Sequence, residues 1–440
     1  MSRILPYEAI PFVEWSSDYQ HHLADLLVQA YQEHGPIFRT KHLRYLPHNE
    51  IVFLVGPEAN RFVLVDQRQK FSNLVGWSTI FPMVKVFGRG LLTMDGEEHA
   101  RIRRLFNPAF TMSYISRYLT LINSITRKKT KSWLEAGEVN LHEEISKIAF
   151  EVAAQALAGL KGDDEIEHFR TLFLRFQMLT PSLEDFEARL ASLRSELDAL
   201  LVPKIEEQRR QLGDDIFGRL VQARDEHGNT MSDEQIMAHV NTLLIAGHET
   251  TTSLSTWLLY LLHQHPDYTQ RILREQEAVL GASDELTLED IKRMQSLDNA
   301  LHETERLYPP IPNGPRGVVE DFEFHGYHIP AGSLAFYSIL GSHMMPSIFA
   351  NPETFDPDRF APPKEEHKKN PYALVSFGGG PHICIGMNLA SVEIKAIVTH
   401  ILCNYTLELI PDQEIYQFYG VVGWPVNGIR IRVSERIKRA

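Results

Sequence analysis

The sequence predicts a mainly α protein with small, separate β-sheets, and three observations carry that expectation. From about residue 97 to residue 307 apolar positions recur with the 3.6-residue period of helices. Within that half, one stretch opens at Ser232 and meets no breaker before Pro266. Short runs rich in β-branched and aromatic residues lie outside it, before residue 56 and after Pro309.

Each element follows from its own residues. The first 30 residues read as a polar lead with a short helix, then Pro36-Ile37-Phe38-Arg39-Thr40 and Ile51-Val52-Phe53-Leu54-Val55 read as strands. Pro57-Glu58-Ala59-Asn60-Arg61 opens a helix. Turn signals at Gly162-Asp163-Asp164, Pro181-Ser182 and His227-Gly228-Asn229 divide the helical half. Ser232 with Gln235 fits a capping box, and the helix it starts would run roughly 34 residues, about 50 Å, across the whole molecule. Phe322 to Ile329 alternates around Gly326, Pro330-Ala331-Gly332 turns into Leu334 to Ile339, and a last helix spans about Ile385 to Leu402.

The 440 residues, 43% hydrophobic and 23% charged, can bury a large core, and no linker, charge run or internal repeat divides them, so one domain over 1–440 is expected. A net charge of −13 argues against a nucleic-acid surface, which needs a basic face. The N-terminus lacks the charged start and apolar run of a secretory signal. The most apolar stretch, Ile236 to Leu262, is interrupted by His239, Asn241, His248 and Glu249, which are costly in a bilayer. A cytoplasmic protein without a membrane anchor is the expectation.

Only Cys384 and Cys403 occur, so neither a disulfide framework nor a four-cysteine metal site is available. Cys403 lies in an apolar run, Ile397 to Leu402, where a cysteine behaves as a small buried hydrophobe. Cys384 sits in Phe377-Gly378-Gly379-Gly380-Pro381-His382-Ile383-Cys384-Ile385-Gly386, just before the last helix, whose N-terminal amides and dipole favour a thiolate. The glycines let the backbone approach a flat macrocycle closely. A glycine turn with an incidental cysteine is the bland alternative; a phosphate loop is excluded because no Lys-Ser/Thr follows.

The spacing of Phe377, Gly380, Cys384 and Gly386 resembles the haem-binding loop of the cytochrome P-450 family, which makes Phe377, Gly378 and Gly386 cofactor-binding residues. The resemblance implies that family's fold, a two-lobed domain holding haem b between the long central helix and the cysteine loop, with Cys384 as the iron's axial ligand. It departs at His382, where the family usually has an arginine aimed at a haem propionate; a histidine there can donate a hydrogen bond but is fully charged only when protonated. By the same resemblance the propionates would also be held by His99 and Arg103, four apart on one helical face, and by Arg316. Any one of these alone is equally a solvated surface charge.

Two further motifs fit. Glu303-Thr304-Glu305-Arg306 places Glu303 and Arg306 at i,i+3, and with Phe355-Asp356-Pro357-Asp358-Arg359 it resembles the family's glutamate-arginine-arginine cluster, a structural network of Glu303, Arg306 and Arg359. Ala246-Gly247-His248-Glu249-Thr250-Thr251 puts polar residues inside an apolar helix. The bland reading is a helix bend with threonine bonding back to the i−4 carbonyl. The resemblance makes Ala246 and Gly247 room over the haem, Thr250 the hydroxyl that serves dioxygen and Glu249 the proton relay.

The implied activity is monooxygenation: hydroxylation or epoxidation of a lipophilic molecule with O2, the thiolate pushing electron density toward O–O cleavage. No flavin fingerprint or iron–sulfur cysteine set is present, so electrons are expected from a separate ferredoxin or flavodoxin with its reductase; Arg101 and Arg104 fit either a docking patch for it or a solvated basic face. Family position gives Trp77, Phe81, Phe176, Leu244, Ile311 and Val421 as pocket walls, apolar enough for a terpenoid, retinoid, steroid or fatty-acid-like substrate. Two rivals remain: peroxide-driven oxygenation or hydroperoxide rearrangement, disfavoured by the intact Glu249-Thr250 pair, and a haem ligand-binding protein without turnover.

Overall fold

The computed structural model describes residues 4–16, 18–41, 50–80, 84, 87–177, 185–211, 216–224, 227–281 and 286–436, with backbone alone for Phe176 and Gln177. Helices dominate. Those used below are α1 (Leu23–His34), α2 (Asn73–Ile80), α3 (Gly96–Phe106), α4 (Met112–Thr130), α5 (Leu141–Ala158), α6 (Asp163–Gln177), α7 (Phe186–Arg210), α8 (Asp233–Gln264), α9 (Gln295–Leu307), α10 (Ile339–His343) and α11 (Met387–Asn404).

Helix α8 is the axis of the fold. Its start is the expected capping box: the Gln235 amide donates to Ser232 Oγ at 3.2 Å and the Ser232 amide to Gln235 Oε1 at 3.0 Å. It ends one residue before His265-Pro266, because the proline cannot continue the ladder. Its 32 residues span about 48 Å at 1.5 Å per residue. Along most of that length it is buried on all sides, packed against α5, α7, α9 and α11 in one large apolar cluster that also takes in Ile102, Phe106, Trp133 and Ile397.

The largest sheet has five strands: β1 (Ile37–Lys41), β2 (Glu50–Val55), β3 (Phe71–Ser72), β4 (Asn313–Val318) and β5 (Leu334–Ser338), in the order β1-β2-β5-β4-β3. β2 and β5 run parallel, with Val52 opposite Ala335; the other pairs are antiparallel, Arg316 facing the same Ala335 across β4 and β5. Two smaller apolar clusters flank this sheet, one around Phe71, Phe322 and Tyr337, the other around Trp15, Phe38, Phe53 and Phe336. Among the described residues three further sheets are separate and small, one of them the hairpin of Phe322–Phe324 with Tyr327–Ile329.

The boundaries depart from expectation where local signals are weak. Helix α11 starts at Met387, after the loop, and continues two residues past Leu402. Glu138–Asn140, inside the helical half, is a strand because Arg430–Glu435 pairs with it from the far end of the chain. Cys403 is half-buried rather than fully buried, and its Sγ lies 3.6 Å from Gln276 Oε1.

Candidate functional site

The cysteine loop is shaped by main-chain bonds and glycine. The Gly378 amide donates to the Val375 carbonyl at 2.8 Å and the Cys384 amide to the Phe377 carbonyl at 2.9 Å, closing the loop just before α11. Gly378 and Gly380 have φ of +71° and +60°, and a Cβ on Gly380 would lie 2.1 Å from the Leu64 carbonyl oxygen, so both the backbone conformation and the approach exclude a side chain there. Gly386 caps α11, and a Cβ on it would lie 3.9 Å from Cys384 Sγ, ordinary contact.

Cys384 carries accessible surface, yet burial pushes its thiol pKa up from the usual value, against the opposing pull of the Gly386 amide, the Arg103 guanidinium and the Met387 amide. The two facts agree if that surface faces an internal cleft. Ala246 shows the same signature: it is exposed in the middle of α8, although residues 238–245 and 251–259 around it are buried. Helices α8 and α11 pack against each other, and an internal cleft beside them would account for both surfaces. Helix amides and Arg103 do not outweigh desolvation of the thiolate; a cation bound to the sulfur would supply what they lack.

The four residues expected to hold carboxylates come together. The His99 and His382 rings stack at 3.7 Å between centroids. Burial and then the Arg103 charge bring His99 down to about 4; burial, then His99 and Arg316, bring His382 down to about 3. Both imidazoles are therefore neutral donors or acceptors at neutral pH. Arg103 donates to the Ile383 carbonyl, one residue before the cysteine, and to Asn107 Oδ1 at 3.2 Å. Arg316 is 5% exposed, donates to the Pro315 carbonyl at 2.8 Å, lies 5.0 Å over the Tyr337 ring, and has no carboxylate within ion-pair distance among the described residues. A buried guanidinium without a counter-charge is expensive, and this cluster fits an anionic ligand such as a pair of haem propionates.

Two residues here escape a sequence reading. Asp95 caps α3, and its carboxylate accepts from Ser72 Oγ, the Asn73 amide and the Leu74 amide, so it ties the start of α2 to the start of α3. Its place just before Gly96-Glu97-Glu98 was a helix-start signal. Tyr337 stacks under Arg316, and a Cβ on Gly314 would lie 1.9 Å from its ring; no local pattern marks that pair.

Glu303, Arg306 and Arg359 are also brought together, all within 1% of full burial. Arg306 donates to Glu303 through Nε at 2.7 Å and Nη2 at 2.8 Å; Arg359 Nε reaches Glu303 Oε1 at 3.0 Å and its Nη1 reaches Glu366 Oε2 at 2.9 Å. The remaining guanidinium donors go to the carbonyls of His343, Thr354 and Ala350. Charge and hydrogen-bond capacity are both met, the condition under which buried ions are tolerated.

On α8, Thr250 Oγ1 donates to the Ala246 carbonyl at 2.6 Å, the i−4 bond of the bland reading, and Thr252 and Thr256 do the same. Thr250, Glu249 and Gly247 are half-buried on the stretch where α8 becomes accessible. His248 points elsewhere, 2.9 Å from Ser146 Oγ on α5.

Of the expected pocket walls, Trp77 and Val421 line a mostly apolar, partly open pocket together with Trp15, Tyr19, Phe53 and Asn313. Ile311 packs on the sheet cluster just before lining residues Pro312 and Asn313. Leu244 is a correction: it is fully buried in the helical core and does not line this cavity, because it stands about 160° around α8 from Ala246. Phe81, and the side chain of Phe176, lie outside the described residues. Among the described residues no helix is long and apolar enough to cross a membrane.

The sequence profile of the family described as Cytochrome P450 matches residues 6–431. A putative cytochrome P450 120 from Synechocystis sp. is 30% identical over 416 residues, covering 92% of this chain and 90% of its own. A sterol 14alpha-demethylase from Mycolicibacterium vanbaalenii is 29% identical over 84% of this chain and 85% of its own. The solved structure of retinoic acid bound cyanobacterial CYP120A1 superposes with a TM-score of 0.83 at 28% identity, over 99% of this chain and all of the other.

Proposed function

The chain belongs to the cytochrome P450 family and is a monooxygenase, and from that premise we propose that it hydroxylates or epoxidises a lipophilic terpenoid, retinoid, steroid or fatty-acid-like molecule, with O2 and electrons from a separate ferredoxin or flavodoxin. Residues 1–440 act as one haem-thiolate domain in the cytoplasm, with haem b as cofactor. The observation that carries the reading is the accessible yet desolvated Cys384 beside Arg103, Arg316, His99 and His382, a cluster in which Arg316 has no carboxylate within ion-pair distance among the described residues. Retinoic acid in the similar cyanobacterial structure and the sterol named for the mycobacterial relative support the substrate class.

When bound, a thiolate-ligated haem activates dioxygen and delivers one of its atoms to substrate. The chain's own residues do the rest. Cys384 Sγ would hold the iron, with the Gly386 and Met387 amides and Arg103 favouring its anionic form. Arg103 and Arg316 would supply standing charges for the propionates, while His99 and His382, held neutral in the chain alone, would add hydrogen bonds. Thr250 Oγ1, anchored by its own proton on the Ala246 carbonyl, presents lone pairs to the cleft, and Glu249 beside it carries protons inward. Trp77 and Val421 orient an apolar substrate and keep water out. Phe377, Gly378 and Gly386 shape the loop, and Glu303, Arg306 and Arg359 brace it.

The test is spectral and then chemical. Members of a lipophilic library are expected to shift the ferric haem spectrum, and those that do are expected to yield oxygenated products when ferredoxin and its reductase are added. Cys384→Ser is expected to abolish the red-shifted Soret band of the reduced carbon monoxide complex; an unchanged band sinks the ligand assignment. Turnover with peroxide alone replaces the monooxygenase reading.

A further inference from the structure

The braced cluster at Glu303 and the loop at Cys384 are separate in sequence, and one side chain joins them. His343 ends α10 and is fully buried. Its carbonyl accepts from Arg306 Nη1 at 3.1 Å, so its main chain is fixed by the charge cluster. Its ring Nε2 accepts from the Val375 amide at 3.0 Å. Val375 begins the loop: its carbonyl accepts from the Gly378 amide, and the Phe377 carbonyl accepts from the Cys384 amide.

We propose that His343 is a positioning residue for the cysteine ligand, its Nε2 anchoring the Val375 amide and so transmitting the rigidity of the Glu303–Arg306–Arg359 cluster to the loop that presents the sulfur. The chemistry of the ring supports it. To accept from an amide, Nε2 must be unprotonated, which puts the ring's one proton on Nδ1. Nδ1 is buried with no partner among the described residues, so the fold tolerates an unpaired donor in order to keep the acceptor on the loop. Burial and the Arg306 charge hold the ring neutral, with its pKa down at about 3, so this acceptor persists across the working pH range.

The inference rests on the haem-thiolate reading, and the experiment separates the two. Haem-loaded wild type, His343→Leu, His343→Gln and His343→Asn are compared by the red-shifted fraction of the reduced carbon monoxide complex and by amide hydrogen exchange over 375–384. A Gln carbonyl reaches the place of Nε2, whereas an Asn carbonyl reaches only that of Nδ1. The expected result is roughly tenfold faster exchange in the loop, and a several-fold smaller red-shifted fraction, for Leu and Asn, the penalty of an unpaired buried amide. Gln is expected to restore both. If Leu does not fold, the Gln and Asn pair decides: equal behaviour of those two overturns the proposal, because packing and not the acceptor would then matter. Wild-type spectrum and exchange in the Leu variant also overturn it. Absence of the red-shifted band in the wild type overturns the haem-thiolate reading instead.

Discussion

The molecule buries two clusters of charge, and they differ in whether the chain supplies both signs. Around Glu303, two guanidiniums meet one fully buried carboxylate, a second carboxylate at Glu366 and a set of backbone carbonyls. Around His382, two guanidiniums and two imidazoles converge with one nearby acid, Asp95, whose oxygens are already bonded to Ser72, Asn73 and Leu74. A cluster that closes on itself acts as a brace, because every member is compensated without help. One that does not close is prepared for a ligand, because burial without a counter-charge is unfavourable until an anion arrives.

Three measurements sharpen or break that distinction. The largest effect is expected at the closed cluster: Glu303→Ala strands Arg306 without its carboxylate and should destabilise the protein by about 3–5 kcal/mol, read as a lower urea midpoint at unchanged slope. A loss below about 1 kcal/mol, the scale of an exposed pair, would refute the brace.

Next comes acid. The folded His343 ring takes its proton only near pH 3, while an unfolded histidine takes it near 6.5, so the unfolded chain binds more protons throughout that window. Stability is therefore full above pH 6.5 and is lost progressively as pH falls toward 3, by at most about 1.4 kcal/mol per pH unit from this ring. Buried His239 and His248, held down to about 4 and about 3 by desolvation, act in the same direction. Denaturation midpoints followed from pH 8 to 4 should bend near 6.5, and His343→Gln should make that bend shallower.

The smallest effect on stability, and the most discriminating, is at the open cluster. Arg316→Met removes a buried cation that has no carboxylate partner among the described residues, so stability of the haem-free chain should change by less than about 1 kcal/mol or rise. Haem should nevertheless leave about tenfold faster to an excess of a haem-scavenging protein, the loss expected for one charge-assisted hydrogen bond. A large destabilisation of the haem-free chain would show that Arg316 belongs to a brace after all.

What the sequence determined by itself is what short-range chemistry controls. Ser232 with Gln235 and the proline at 266 delimit α8, because caps and breakers act within a few residues. Cys384 stands out as the candidate ligand because glycines, a helix start and the cysteine lie within ten residues. Glu303 and Arg306 share a face at i,i+3, and His99 and Arg103 at i,i+4, since helical periodicity alone puts them there.

Only the tertiary structure decided which faces meet. Leu244 and Ala246 are two residues apart on one apolar helix, and only the packing of α5 and α11 around α8 makes one core and the other cleft. The stack of His99 on His382, the ring of Tyr337 under Arg316, and the bond from Val375 to His343 join segments between 21 and 283 residues apart. No periodicity spans such separations; these contacts exist because a long helix and a five-stranded sheet hold their elements at fixed distances.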